Sequence, residues 1–128
     1  MAMHKATGFL VALKVICKDL LYEGTAEENQ KAMEQLTREI KLQAYMNHPN
    51  LVKLYDFFAD RKNIYLVLEL ACDGHLYDWL EKKRTFSEES ASVIIREVVT
   101  GVHYMHELGV IHRDIKLENI VLSHVRVY

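Results

Sequence analysis

Near residue 72 the patterning of the chain changes, and that change constrains the fold more than any other feature. Ahead of it lie three apolar runs rich in β-branched and aromatic residues, Phe9–Cys17, Leu51–Phe58 and Ile64–Leu70. Runs of this length and composition predict strands. Behind it, apolar residues recur at three- and four-residue spacing, the period of a helix face. Ala91, Ile94, Ile95, Val98, Val102, Met105 and Leu108 mark the buried face of a long helix. Ser87 caps its start, Glu88 and Glu89 favour its first turn, and Gly109 ends it. Cys72-Asp73-Gly74 is the break between the two regimes. The expectation is an α+β chain built from parts of two lobes joined by a short crossover.

Ahead of that break a single helix is predicted. Thr25-Ala-Glu-Glu28 is a capping box, in which hydroxyl and carboxylate satisfy early backbone N–H groups reciprocally. Met33, Leu36, Ile40 and Ala44 form the expected buried stripe. The helix should stop near Met46, because the residue before Pro49 is pushed out of the helical region. The second and third runs read as an antiparallel hairpin with a five-residue turn, Ala59–Asn63. A short helix is expected over about His75–Lys83.

Composition removes several classes of function. The 128 residues are 50% hydrophobic and 27% charged, enough apolar material for a core. Lys and Arg total 16 against 18 Asp and Glu, so the chain is close to neutral and not a polyanion binder; no nucleic-acid partner is expected. Cys17 and Cys72 stand far apart, which excludes a disulfide scaffold and a four-cysteine zinc site. No apolar stretch is long enough to span a bilayer. The N-terminus has no apolar signal region. A cytoplasmic or nuclear protein is expected.

The most polar run after the break carries the chemistry. His112-Arg113-Asp114-Ile115-Lys116-Leu117-Glu118-Asn119 fits the H-R-D-x-K-x-x-N pattern of protein-kinase catalytic loops. Five specified positions at fixed spacing arise by chance in such a chain with a probability on the order of 10^-4, which disfavours an accidental solvated loop. Phosphoryl transfer needs a carboxylate to hold the substrate hydroxyl and accept its proton, a task that suits Asp114. Lys116 supplies a cation near the transferred group, and Asn119 an oxygen ligand for Mg²⁺.

Upstream, Val11-Ala12-Leu13-Lys14 matches the V-A-I-K strand pattern, in which the lysine holds the α- and β-phosphates and pairs with a glutamate of the next helix. Glu39, in the latter half of that helix, is the best-placed candidate; Glu28 and Glu34 lie too early. His103 and His106 are one helical turn apart but lack a third ligand, so they read as ordinary helix residues.

Taken together, the chain resembles part of a eukaryotic Ser/Thr protein kinase domain. It is most similar to the Aurora branch, with the polo-like branch next. The segments that carry the resemblance are His4–Val15, His48-Pro-Asn-Leu51, Ile64–Glu69 and Val110–Lys116. The resemblance implies a truncated kinase-like fold. Residues 1–70 would be a small-lobe portion, 71–74 the hinge, and 75–128 the start of the large lobe through the catalytic loop. It implies ATP and Mg²⁺ as cofactors and a protein as substrate. Ala12 would pack on adenine, Leu68 would be the gatekeeper, and Glu69 and Ala71 would offer hinge hydrogen bonds. Glu118 would meet the ribose through its carbonyl, and Val121 would floor the adenine slot.

The departures from that pattern matter as well. The resemblance calls for a Gly-rich loop before Ala2 and an Asp-Phe-Gly segment soon after Ser123, and the 128 residues contain neither. The segment from Lys14 to Glu39 is longer than in Aurora-like kinases, and Leu117 stands where they usually carry proline. The chain alone is therefore expected to be inactive, with a non-catalytic or pseudokinase binding role as the alternative. The apolar face of the long helix is expected to draw a chaperone or a second copy.

Overall fold

The computed structural model describes residues 1–123 and the backbone of 126–127. The chain forms two compact units, one of residues 1–47 with 53–70 and one of residues 48–52 with 71 onward. The short segment 48–52 thus belongs with the helical unit and not with the strands that flank it in sequence.

In the first unit, β1 (Ala2–Met3) turns back into β2 (Leu10–Cys17) through His4–Phe9. Gly8, with φ of +71°, lets the turn close, and its N–H reaches the His4 carbonyl at 2.8 Å. After a 3₁₀ turn, Asp19–Leu21, comes helix α1 (Ala26–Tyr45). Its capping box is complete: Thr25 accepts from the Glu28 N–H, and Glu28 accepts from the Thr25 N–H at 2.8 Å. Hairpin strands β3 (Leu54–Ala59) and β4 (Asn63–Leu68) follow. The sheet runs β1-β2-β4-β3, all antiparallel.

The hairpin turn is tighter than its sequence suggests. Asp60 Oδ1 accepts from the N–H groups of both Lys62 and Asn63 at 2.7 Å, which draws Ala59 and Asn63 into the ladder. Ile40 of α1 packs on Leu54, Ile64 and Leu66 of the sheet, with Ile16, Met33, Leu36 and Leu68 partly buried around them. Ala44, expected in that stripe, is exposed.

In the second unit, β5 (Gly74–His75) leads directly into α2 (Leu76–Lys83), and α3 (Glu88–Glu107) follows. Ser87 caps α3 by accepting from the Ser90 N–H. The helix ends in a Schellman motif: Gly109, at φ +71°, donates to His106, and Val110 donates to Met105, both at 2.9 Å. A 3₁₀ turn, Leu117–Asn119, precedes β6 (Val121–Ser123) and β7 (Arg126–Val127), and β5, β6 and β7 form a small sheet. Leu76 and Ile120 are its buried centre, with Phe86, Ile94, Val98 and Leu122 around them. The α3 face is narrower than its sequence pattern: Met105 is buried, whereas Ile95 and Leu108 are more than half exposed.

Residues 48–52 dock on α3 at one close approach. His48 stacks on Tyr104 with ring centroids 4.9 Å apart, and Asn50 Nδ2 donates to Glu97 Oε2 at 3.0 Å. Gly101 makes room for the turn, since a Cβ there would lie 2.9 Å from the Asn50 carbonyl oxygen. Among the described residues no helix is long and apolar enough to cross a membrane.

Candidate active site

The Schellman end of α3 turns the chain sharply into His112–Asn119. Arg113 there adopts φ of +68°, a left-handed conformation that costs a non-glycine residue about 1–3 kcal/mol. The strain is held by the flanking hydrogen bond from the Asp114 N–H to His112 Nδ1 at 3.2 Å. That bond makes Nδ1 the acceptor.

Asp114, Lys116 and Asn119 come together. Asn119 Nδ2 donates both to the Asp114 carbonyl oxygen, at 2.8 Å, and to Asp114 Oδ2, at 2.7 Å. Lys116 Nζ lies 3.1 Å from the same Oδ2. The hydrogen bond from Lys116, and then that from Asn119, lowers the Asp114 pKa below the ordinary aspartate value. All three residues are exposed, so reagents in solution can reach them.

The carbonyl of Glu118 accepts from His75 Nδ1 at 2.7 Å. Backbone bonds from Leu76 N–H to Ile120, at 2.8 Å, and from Asp73 N–H to Leu122, at 3.0 Å, fasten the same segment to the start of α2. Val121, half-buried, pairs with His75 in the small sheet. Ala71 is also half-buried.

In the first unit, the β2–β4 register puts Ala12 opposite Leu68, Lys14 opposite Leu66 and Ile16 opposite Ile64. Directly opposed residues share a face. Ala12, Lys14 and Leu68 therefore lie on the face that carries Leu66 and Ile64, the face on which Ile40 of α1 packs. Glu69 is held at the end of this sheet: its N–H donates to the Lys53 carbonyl at 2.9 Å, and its carboxylate accepts from the Lys53 N–H at 3.3 Å. Burial, and then the nearby Glu69 carboxylate, raises the Tyr55 pKa.

Lys14 and Glu39 are not joined. Glu39 accepts from Gln35 Nε2 at 3.0 Å, one turn back along its own helix, and among the described residues it makes no ion pair with Lys14. The carboxylate lies along the outer surface of α1, while its neighbour Ile40 faces the sheet.

Among the described residues no group of three or more His, Cys, Asp or Glu side chains is placed to hold a metal ion. The donor set still suits Mg²⁺, which keeps several waters and takes only one or two protein ligands beside phosphate oxygens. The Asn119 amide nitrogen is committed to Asp114, so the oxygen is the atom of that amide suited to a hard cation.

Known proteins carry the same pattern. The family model described as protein kinase domain matches residues 1–127. The chain belongs to the protein kinase domain family. It is 43% identical over 123 residues to Aurora kinase B of Mus musculus, covering 96% of this chain and 34% of that protein. It is 44% identical over 123 residues to the Aurora kinase of Schizosaccharomyces pombe, covering 96% of this chain and 33% of the relative. It is 36% identical over 122 residues to NUAK family SNF1-like kinase 1 of Homo sapiens, covering 95% and 18% respectively. The chain thus spans about a third of the length of these Aurora relatives. It is an Aurora-like stretch of a kinase domain.

Sequence reasoning finds the catalytic loop because its residues are contiguous. It misses His75, Asn50 and Gly101 as structural partners, since each acts on a segment more than 40 residues away. No local pattern carries such a contact.

Proposed function

We propose that this chain is a portion of a protein Ser/Thr kinase that transfers the γ-phosphoryl group of ATP to a protein hydroxyl. The carrying observation is the closed cluster of Asp114, Lys116 and Asn119. Asp114 is the residue that orients the substrate hydroxyl. A carboxylate whose pKa lies below the ordinary aspartate value is a weak base at neutral pH, so positioning outweighs early proton removal. A loose transition state favours that division of labour, because the hydroxyl proton leaves late. Lys116 neutralises charge beside the reacting oxygens, and its place two residues after Asp114 supports Ser/Thr over tyrosine specificity. Asn119 would hold Mg²⁺ through its amide oxygen; the bound ion supplies neutralisation of phosphate charge.

The kinase resemblance assigns adenine contacts to Ala12, Leu68 and the Glu69 backbone in the first unit, and to the Ala71 backbone and Val121 in the second. The Glu118 carbonyl serves the ribose, and Lys14 serves the phosphates, with Glu39 as its partner only after the carboxylate leaves Gln35. A cytoplasmic or nuclear setting belongs to the same proposal. These 128 residues alone carry a single assigned metal ligand and no Gly-rich loop, so by themselves they bind ATP weakly and transfer no phosphate.

Nuclear magnetic resonance titration with Mg·ATP tests the nucleotide assignment. The expected result is a dissociation constant no tighter than about 100 μM, with shifts at Ala12, Leu68, Ala71 and Val121. No shift at those positions at millimolar ATP would overturn it. Transfer to a basic Ser/Thr peptide that vanishes in Asp114→Asn would support the kinase assignment and overturn the inactivity of the chain alone.

A further inference from the structure

His75 stands at the N-cap position of α2, with φ of −85° and ψ of 145°, yet its side chain makes no capping hydrogen bond to its own helix. A polar side chain at that position ordinarily serves the first turn. Here Nδ1 lies instead 2.7 Å from the carbonyl oxygen of Glu118, 43 residues on in the sequence. A carbonyl only accepts, so the ring is the donor and the proton sits on Nδ1.

We propose that His75 is a positioning residue: by holding the Glu118 carbonyl it sets the turn Leu117–Asn119, and through that turn the amide that Asn119 lays on Asp114. The role rests on the kinase assignment only in calling Asp114 and Asn119 catalytic.

The turn is closed by its own backbone bonds, from the Asn119 N–H to Lys116 at 2.9 Å and from the Ile120 N–H to Leu117 at 3.4 Å, but neither engages the Glu118 carbonyl. Asp114 through Asn119 are all exposed, so packing does not determine how the Glu118 peptide faces. The nearest buried anchor is Ile120. The side chain of His75 is exposed too, but its backbone is pinned on both sides. It pairs with Val121 in the small sheet, follows Gly74 at φ +78°, and precedes the buried Leu76, whose N–H bonds Ile120. A donor fixed on one side of Glu118 constrains the peptide next to Asn119. Misplacement of a supporting group by an ångström is enough to weaken a catalytic pair. Both the neutral Nδ1–H ring and the imidazolium can donate, so the hold does not depend on the charge of His75.

The test needs no activity. Long-range ¹⁵N–¹H spectra of the unaltered protein should show His75 as the Nδ1–H tautomer or the imidazolium, and a neutral Nε2–H ring would overturn the proposal. In His75→Ala the side-chain amide protons of Asn119 should exchange roughly two- to tenfold faster, the effect of losing one exposed hydrogen bond. The melting temperature should hardly change. Either His75→Asn or His75→Gln, each carrying a donor amide, should restore slow exchange. A merely structural role would lower the melting temperature and leave the Asn119 amide of the folded protein unmoved; that result, or rescue by neither amide variant, overturns the assignment. Absence of nucleotide binding would count against the kinase assignment and leave these readouts intact.

Discussion

Asp114 is the residue whose chemistry is most visibly set by its neighbours. Lys116 contributes most to lowering its pKa and Asn119 next. The carboxylate therefore stays ionised below the ordinary aspartate range. Lys116→Ala should raise the Asp114 titration midpoint toward the ordinary value, and Asn119→Ala should raise it less. Carbon-detected titration of the carboxyl resonance checks both; equal or reversed shifts would show that the two contacts are ranked wrongly. Linkage fixes the sign for stability: a depressed carboxylate stabilises the fold above the ordinary aspartate range and loses that contribution as pH falls through the folded value. At the same scale, Glu39 explains why a site can be only partly legible. Its place on α1 follows from the sequence, but its hydrogen bond to Gln35 depends on a rotamer that no spacing rule fixes.

Elements differ in how plainly they are written. Helix α1 is legible at both ends because the signals are local: the capping box at Thr25 and the restriction imposed by Pro49. Strand β1 and the small β5-β6-β7 sheet are not, because pieces of two or three residues have no period of their own. Three predictions belong here. Thr25→Ala removes the cap and should destabilise the first unit by about 0.5–2 kcal/mol, read by denaturant unfolding. Because Glu28 is also depressed, through its bonds to the backbone and side chain of Thr25, the first turn of α1 should lose exchange protection as pH falls below the ordinary glutamate range. Glu28→Gln should flatten that dependence; an unchanged pH profile would contradict the linkage. Gly101→Ala sets two effects against each other. Alanine gains up to about 1 kcal/mol in a helix interior, but the added carbon meets the Asn50 carbonyl at 2.9 Å, and overpacking costs about 1–3 kcal/mol. The net expectation is destabilisation, with weakened His48–Tyr104 stacking visible as ring-proton shifts. A more stable variant would mean that the turn yields freely.

Across the whole chain, the apolar content that composition promises is not fully buried. Among the described residues eight apolar side chains are buried, and none of the large ones is completely enclosed. On α3, Ile95 is 59% and Val99 58% exposed, and they lie one turn apart on the same face. Periodicity marks Ile95 as core because it counts apolar positions without knowing what packs against them. Covering a side chain of this size contributes about 1.5–3 kcal/mol, so the two together rival a large share of the roughly 5–15 kcal/mol that holds a small domain together. Adjacent exposed groups of this kind favour association over solvation. These 128 residues, expressed by themselves, should therefore run as oligomers or travel with a chaperone. The variant Ile95→Lys with Val99→Glu should shift the population toward monomer, without loss of helix content since both positions already face solvent. Size-exclusion chromatography with light scattering, alongside far-ultraviolet circular dichroism, checks this. A wild-type chain that is monodisperse and monomeric, melting cooperatively above about 55 °C as a robust mesophilic domain does, would show that exposure of this face carries no association.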